Sequence, residues 1–181
     1  LSEILLPGRK NQILIIKAFT MELSKTNLLS AKQSEQRINR IAYQVYEDNV
    51  DEKEIIIAGI RSSGFEVAKM LSEVLKKIAP FDVQLIDVQM DKHSQTLNDN
   101  RIPLSTENLQ GKVIILVDDV LNSGKTMIYA LKPFLAADIK KIRTAVLVDR
   151  NHRRYPIAAD YTGLSLATTL QEHVTVETEN G

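Results

Sequence analysis

Three short aliphatic runs, Ile55–Ala58, Val113–Val117 and Thr144–Val148, are set apart by stretches long enough for helices. They are apolar at nearly every position rather than at every second one, the pattern of strands buried on both faces of a parallel sheet. Between them the period changes. Ile38, Ile41, Ala42, Val45 and Tyr46 recur at helical spacing to about Asp48, with Ser34 placed to cap the start. Phe65, Val67, Ala68, Leu71, Val74, Leu75 and Ile78 form a second helical face, and residues 125–137 read as a third helix. Val83, Leu85 and Asp87 alternate in a further strand running to about Val88, and Val174-Thr175-Val176 alternates near the end. Strands alternating with helices predict an α/β fold with a mostly parallel twisted sheet flanked by helices. Right-handed crossovers and one topological switch point then put a ligand at the carboxyl ends of the central strands. Residues 89–110 are polar and without period, and so long a loop in a compact domain is usually functional.

Composition narrows the chemistry. Of 181 residues, 44% are apolar and 25% charged, the balance of an ordinary globular chain. Lys plus Arg number 23 and Asp plus Glu number 23, so no overall basic excess marks a dedicated polyanion binder. With no cysteine there is no disulfide, thiolate metal site or thiol nucleophile, and 3 isolated histidines leave little for a His-rich zinc centre. No apolar run approaches the roughly 20 residues of a spanning helix. Ile13–Ile16 lacks the apolar core and cleavage site of a signal peptide, so a cytoplasmic location and no membrane partner are expected.

Residues 1–32 read as an N-terminal extension. Pro7-Gly8-Arg9-Lys10 is a turn, Ser24 to Ser30 is polar, and Met21 is a candidate start. The alternative is an N-terminal strand or arm docked on the core. Residues 33–181 are expected to form one domain, with residues 149–165 as a small hood.

The sharpest motif is Val113-Ile114-Ile115-Leu116-Val117-Asp118-Asp119-Val120-Leu121-Asn122-Ser123-Gly124-Lys125-Thr126. An apolar strand delivers two adjacent carboxylates to its carboxyl end, and small residues then turn the chain into a helix. Ser123, Gly124 and Thr126 offer backbone N–H groups and hydroxyls where the helix dipole favours an anion, and Gly124 permits close backbone approach. Such a loop suits a phosphate monoester. A ribose between the acids and the phosphate suits the gap, its vicinal hydroxyls each donating to a carboxylate. The motif is not a P-loop, whose first glycine would fall at Asp119. A Mg²⁺-binding phospho-acceptor site and an ordinary strand-to-helix turn with an exposed acid pair are the competing readings.

Val117 through Thr126 resembles the phosphoribosyl-pyrophosphate signature of type I phosphoribosyltransferases. Gly59-Ile60-Arg61-Ser62-Ser63-Gly64, directly after a strand, resembles their pyrophosphate loop. Val146-Leu147-Val148-Asp149-Arg150-Asn151-His152-Arg153 and Pro156-Ile157-Ala158-Ala159-Asp160-Tyr161-Thr162-Gly163 are similar to the uracil phosphoribosyltransferase/pyrimidine operon attenuator family. The match covers about residues 34–178. It implies a type I phosphoribosyltransferase fold with a hood and a flexible loop, and transfer of the 5-phosphoribosyl group from phosphoribosyl pyrophosphate (PRPP) to a pyrimidine, uracil giving UMP. By position, Asp118 and Asp119 would bind the ribose hydroxyls, and Asn122, Ser123, Gly124, Lys125 and Thr126 the 5-phosphate, with Val120 and Leu121 completing the signature. Ile60, Arg61 and Ser62 would bind pyrophosphate, with a cis peptide near Ile60–Arg61. Asp118, Asp119 and Arg61 are the catalytic candidates. Asp149, Arg150 and Ile157 would form the base side. Mg²⁺ would be bound mainly by PRPP and pyrophosphate oxygens, with no dedicated protein metal site. A homo-oligomer, dimer or tetramer, is expected.

The sequence departs from the family at several points. Asp91-Lys92-His93-Ser94 stands where Tyr-Arg-Asp-Asp is common, leaving Lys92 as the flexible loop's cation without arginine's fork. Asn122-Ser123 and Lys125 replace the more usual Tyr-Thr and Arg. Two alternatives stay open. One is an RNA-binding regulator of pyrimidine genes, contacting an mRNA leader through Lys140, Lys141, Arg143, Arg150, Arg153 and Arg154; the other is a purine phosphoribosyltransferase.

Overall fold

The computed structural model describes residues 13–19, 25–60, 62–90, 101–166 and 173–179. Five strands form the main sheet: β3 (Glu54–Ile60), β4 (Asp82–Val88), β5 (Val113–Leu121), β6 (Lys141–Asp149) and β7 (Tyr161–Ser165). Their order is β4-β3-β5-β6-β7 and every neighbouring pair is parallel. The chain moves outward from β3 to β4, then crosses back to place β5 on the other side of β3. That reversal is the topological switch point.

Alternation along each strand divides the core. Ile55, Ile57, Val113, Ile115, Val117, Ala145 and Leu147 pack with helices α1 (Ala31–Glu47) and α2 (Ser63–Ile78) on one face. Ile56, Ala58, Ile114, Leu116 and Val146 face the other side, against Leu109, Met127, Ala130 and Phe134. These four come from the short helix α3 (Thr106–Leu109), from α4 (Lys125–Ala130) and from the 3₁₀ turn Lys132–Ala136. The central strands are buried on both faces, as their apolar runs demand.

Several boundaries differ from those expected. Helix α1 begins a turn early. Ser30 caps it, its hydroxyl accepting from the Gln33 backbone N–H at 3.3 Å, and the Gln33 side chain accepting in return from the Ser30 N–H at 2.9 Å. That reciprocal pair is a capping box, and Ser34 lies buried inside the helix. The third helix does not run through residue 137. Pro133 lacks an N–H, so α4 ends at Ala130 and a 3₁₀ turn follows. Strand β6 starts at Lys141, and β7, absent from the expected strands, occupies residues 161–165. The segment between β6 and β7, where a hood over residues 149–165 is expected, is thus residues 150–160. The long loop is narrower than residues 89–110: Gln89 and Arg101 exchange backbone hydrogen bonds of 2.9 and 3.0 Å. Beyond this bridge, Ile102, Leu104 and Leu109 pack against the core.

A second, three-stranded antiparallel sheet has the order β2-β1-β8, built from β1 (Ile13–Phe19), β2 (Lys25–Leu29) and β8 (His173–Glu179). β1 pairs with β8 from Ile13 opposite Glu179 to Phe19 opposite His173. The strand alternative for the first 32 residues therefore describes residues 13–19 and 25–29. No helix among the described residues is long and apolar enough to cross a membrane.

Candidate active site

The site begins where β5 outruns β3. Their pairing ends at Gly59 opposite Val117. β5 continues beside β6 through Asp118 opposite Val146 and Leu121 opposite Asp149. The acid pair thus sits at the carboxyl end, on the strand margin that β3 no longer covers. The crossovers on either side leave in opposite directions at this point, which is where α/β sheets generally bind ligands.

Asp118 is 8% exposed. Its Oδ1 accepts the Asp119 backbone N–H at 2.9 Å. Burial first, and then the neighbouring Asp119 carboxylate, hold its carboxyl well above the ordinary carboxylate range. The first turn of α2 presses on it: a Cβ at Gly64 would come within 2.7 Å of Asp118 Oδ1. Only glycine lets the helix start and the acid lie this close. Ahead of it, Ser62 takes φ 82° and ψ −130° without a side-chain cap bond. This left-handed backbone at a non-glycine residue is the kind of strain found at ligand sites. Arg61, the expected cis peptide beside it and Lys92 lie outside the described residues.

After Leu121 the chain turns through Asn122, Ser123 and Gly124 into α4. Gly124 has φ 82°, which a side chain would strain, and its missing Cβ makes room for Ile157, whose Cγ2 would lie 2.6 Å from one. The Ser123 hydroxyl accepts the Lys125 backbone N–H at 3.3 Å. Lys125 and Thr126 stand exposed at the mouth of the turn.

The hood is fastened to this turn rather than hung beside it. The Leu121 carbonyl accepts from Arg150 N–H at 3.0 Å, and the Ser123 carbonyl from Arg154 and Tyr155 N–H at 2.9 and 3.0 Å. Arg150, 5% exposed, donates from Nη1 to Asn122 Oδ1 at 2.7 Å. Tyr155 meets the ring of Tyr129 edge-on, 6.1 Å between centroids, and the Lys125 ammonium lies 5.6 Å from the Tyr129 ring centre. Asp149 is committed within the hood. Its Oδ1 accepts Asn151 N–H at 2.9 Å and its Oδ2 accepts from Arg153 at 2.8 Å, shaping a turn in which Asn151 has φ 61°. Of the candidates, Asp118, Asp119, Val120, Leu121, Asn122, Ser123, Gly124, Lys125, Thr126, Arg150 and Ile157 come together around one turn. Tyr155 is not singled out from sequence, Arg153 only as part of the basic patch, and Gly64 only as the end of the pyrophosphate loop. Gly64 carried a signal: a glycine in a helix start just after a buried strand.

The expected basic patch is divided. Lys140, Lys141 and Arg143 lie at the amino end of β6, and Arg150, Arg153 and Arg154 beyond its carboxyl end, about 25 Å away at the usual strand rise. Lys140 pairs with Glu52 at 2.7 Å, and Arg143 with Asp160 at 3.0 Å. A pocket of about 400 Å³ at the amino end is lined by Gln44, Glu47, Asp48, Arg143, Asp160 and Tyr161. Arg143 lies between its two aspartates, 3.0 Å from Asp160 and 3.6 Å from Asp48. Tyr161 donates to Asp48 at 2.6 Å, a bond that draws the Asp48 carboxyl below its ordinary range, while burial and that bond raise the Tyr161 phenol.

Comparison with known proteins agrees with this geometry. The phosphoribosyl transferase domain model matches residues 24–179. The bifunctional protein PyrR of Haemophilus ducreyi is 35% identical over 160 residues, covering 84% of this chain and 89% of its own. Its Enterococcus faecalis namesake is 34% identical over 166 residues, covering 87% and 92%. Among solved structures, a hypoxanthine-guanine phosphoribosyltransferase of Bacillus anthracis superposes with a TM-score of 0.65 at 21% identity, covering 83% of each chain. The hypoxanthine phosphoribosyltransferase of Trypanosoma cruzi gives 0.61 at 19% identity, covering 76% of this chain and 75% of that one. These two establish the shared fold. With an acid pair and a glycine turn at the switch point and relatives matched over most of their length, the chain belongs to the phosphoribosyltransferase family, in the company of the bifunctional PyrR proteins.

Proposed function

We propose that the chain transfers the 5-phosphoribosyl group of PRPP to a pyrimidine base, uracil giving UMP and pyrophosphate, in the cytoplasm. The observation that carries this reading is the continuity of Asp118 and Asp119 with the Gly124 turn, on the β5 margin that β3 leaves open. In it, Asp118 and Asp119 accept from the ribose hydroxyls. Val120 and Leu121 carry the strand to the turn, and Asn122, Ser123, Gly124, Lys125 and Thr126 hold the 5-phosphate. Ile60, Arg61 and Ser62 receive the pyrophosphate, a role the strained Ser62 backbone supports. Asp149, Arg150 and Ile157 build the base side, Ile157 lying over Gly124.

The chemistry needs no protein nucleophile. A base nitrogen bonds to C1 of the ribose as the C–O bond to pyrophosphate breaks, and the proton of that nitrogen passes to water or to the departing pyrophosphate. The sugar carbon becomes cation-like and negative charge grows on the leaving group, where Arg61 and backbone N–H groups stabilise it. Lys92 would add charge from the loop that excludes water from the donor. Among the described residues no group of three His, Cys, Asp or Glu could hold a metal ion. The adjacent carboxylates nevertheless offer the hard oxygens that suit Mg²⁺, which commonly keeps one or two carboxylates plus substrate phosphates. Mg²⁺ would be held mainly by PRPP with Asp118 and Asp119 beside it, neutralising leaving-group charge.

Pyrophosphate release, measured with PRPP against uracil, orotate, hypoxanthine, guanine, adenine and xanthine, tests the reading. Turnover with uracil is expected; product from a purine alone would replace the base and keep the family. A second reading, an mRNA leader held at the hood, is favoured by the exposed Arg154 beside the Tyr129–Tyr155 pair and by the word bifunctional in the relatives' names. Affinity for leader RNA that falls steeply with salt would support it. Light scattering of the purified chain would show whether it forms a dimer or tetramer.

A further inference from the structure

Leu121 and Asp149 are the last paired residues of β5 and β6. Asn122 and Arg150 come next, so their contact stands at the point where the phosphate turn and the hood part company. The Arg150 backbone already holds the Leu121 carbonyl, and the side chain then reaches back to Asn122 Oδ1 at 2.7 Å. The donor is buried at 5% exposure, while Asn122 is exposed at the rim. A carboxamide has one acceptor oxygen and one NH₂ donor group. With its oxygen engaged by the guanidinium, the Asn122 amide has its NH₂ left to donate, the polarity a phosphate requires.

We propose that Arg150 is a positioning residue: through Asn122 it sets the amide's polarity toward the 5-phosphate and fixes the hood at one distance from the turn. The proposal rests on the reading of residues 122–126 as the phosphate cradle. It assigns Arg150 to the base side by way of Asn122 rather than by contact with the base. Base affinity then depends on a residue that touches only the donor end.

Titration of the full-length protein with PRPP and Mg²⁺, and base KM at saturating PRPP, test this together. Asn122→Ala is expected to weaken PRPP binding and to raise the base KM roughly tenfold, the loss one charged hydrogen bond amounts to. Asn122→Asp keeps an acceptor for Arg150 but removes the NH₂ and adds negative charge. It is expected to return base KM toward the wild-type value while PRPP affinity falls further. That split is not what general loosening of the loop would produce. Because Asn122 is exposed, both variants should fold, and their melting temperatures verify it. Unchanged base KM in Asn122→Ala, with PRPP affinity reduced, overturns the positioning role and leaves the cradle intact. Should PRPP affinity stay unchanged in both variants, the cradle reading falls, and the proposal with it.

Discussion

A carboxyl group as deeply set as Asp118 works against the fold it serves. Its folded-state value lies above its ordinary one, so the folded state binds the extra proton. Stability is therefore greatest below the ordinary carboxylate range and is lost as pH rises through the elevated value. Asp118→Asn, neutral at every pH, should melt higher than the wild type near neutrality and show a flatter dependence of Tm on pH. The same variant should bind PRPP roughly tenfold more weakly or worse, through the lost charged acceptor. A melting series from acid to neutral pH beside a binding titration checks both. Unchanged donor binding would remove Asp118 from the ribose. Gly124→Val forces a side chain onto φ 82° and into Ile157 Cγ2. A stability loss of about 1–3 kcal/mol is expected from the strain alone. PRPP binding should fall with it, and a folded variant with full donor affinity would contradict the cradle. Gly64→Ala tests the opposite wall: a Cβ 2.7 Å from Asp118 Oδ1 must displace either the helix start or the acid. Donor affinity should drop even where the melting temperature changes little.

The elements show which parts of the fold are local and which are not. Strands β3 and β5 and helix α2 were legible because burial on both faces, or on one helical stripe, leaves a periodic mark. Edges and ends were not. The lysine and arginine that open β6 read as part of a basic patch, and only the folded chain sets Arg143 against Asp160. β7 was missed because a short edge strand needs no continuous apolar run. The acid pair and glycine turn could be read directly, since strand, carboxylates and cradle follow one another in sequence. The contacts that Gly64 and Tyr155 make with that motif could not, because they arise only through tertiary packing. Helix α1 started earlier than expected because Ser30 and Gln33 satisfy each other's backbone groups. Ser30→Ala should cost about 1 kcal/mol. That lowers Tm by a few degrees and leaves turnover unchanged, which thermal melting and a pyrophosphate-release assay would record.

Across the whole molecule, the catalytic sheet is continuous and parallel, while the smaller sheet joins segments from far apart in the sequence. The segment matched by the family model begins at residue 24, after β1, yet β1 lies between β2 and β8. Removing residues 1–20 should therefore deprive β8 of its partner. Hydrogen exchange should show its amides losing protection while those of β3 and β5 keep theirs. Equal protection with and without the segment would show that β2 can take over the pairing. The same arrangement orders events on the ribosome. β1 is made before all five strands of the main sheet and β8 after them, so the ladder between Ile13 and Glu179 cannot close until those strands have left the exit tunnel. The acid pair and its glycine turn can thus assemble during synthesis, and the small sheet is a seal applied last.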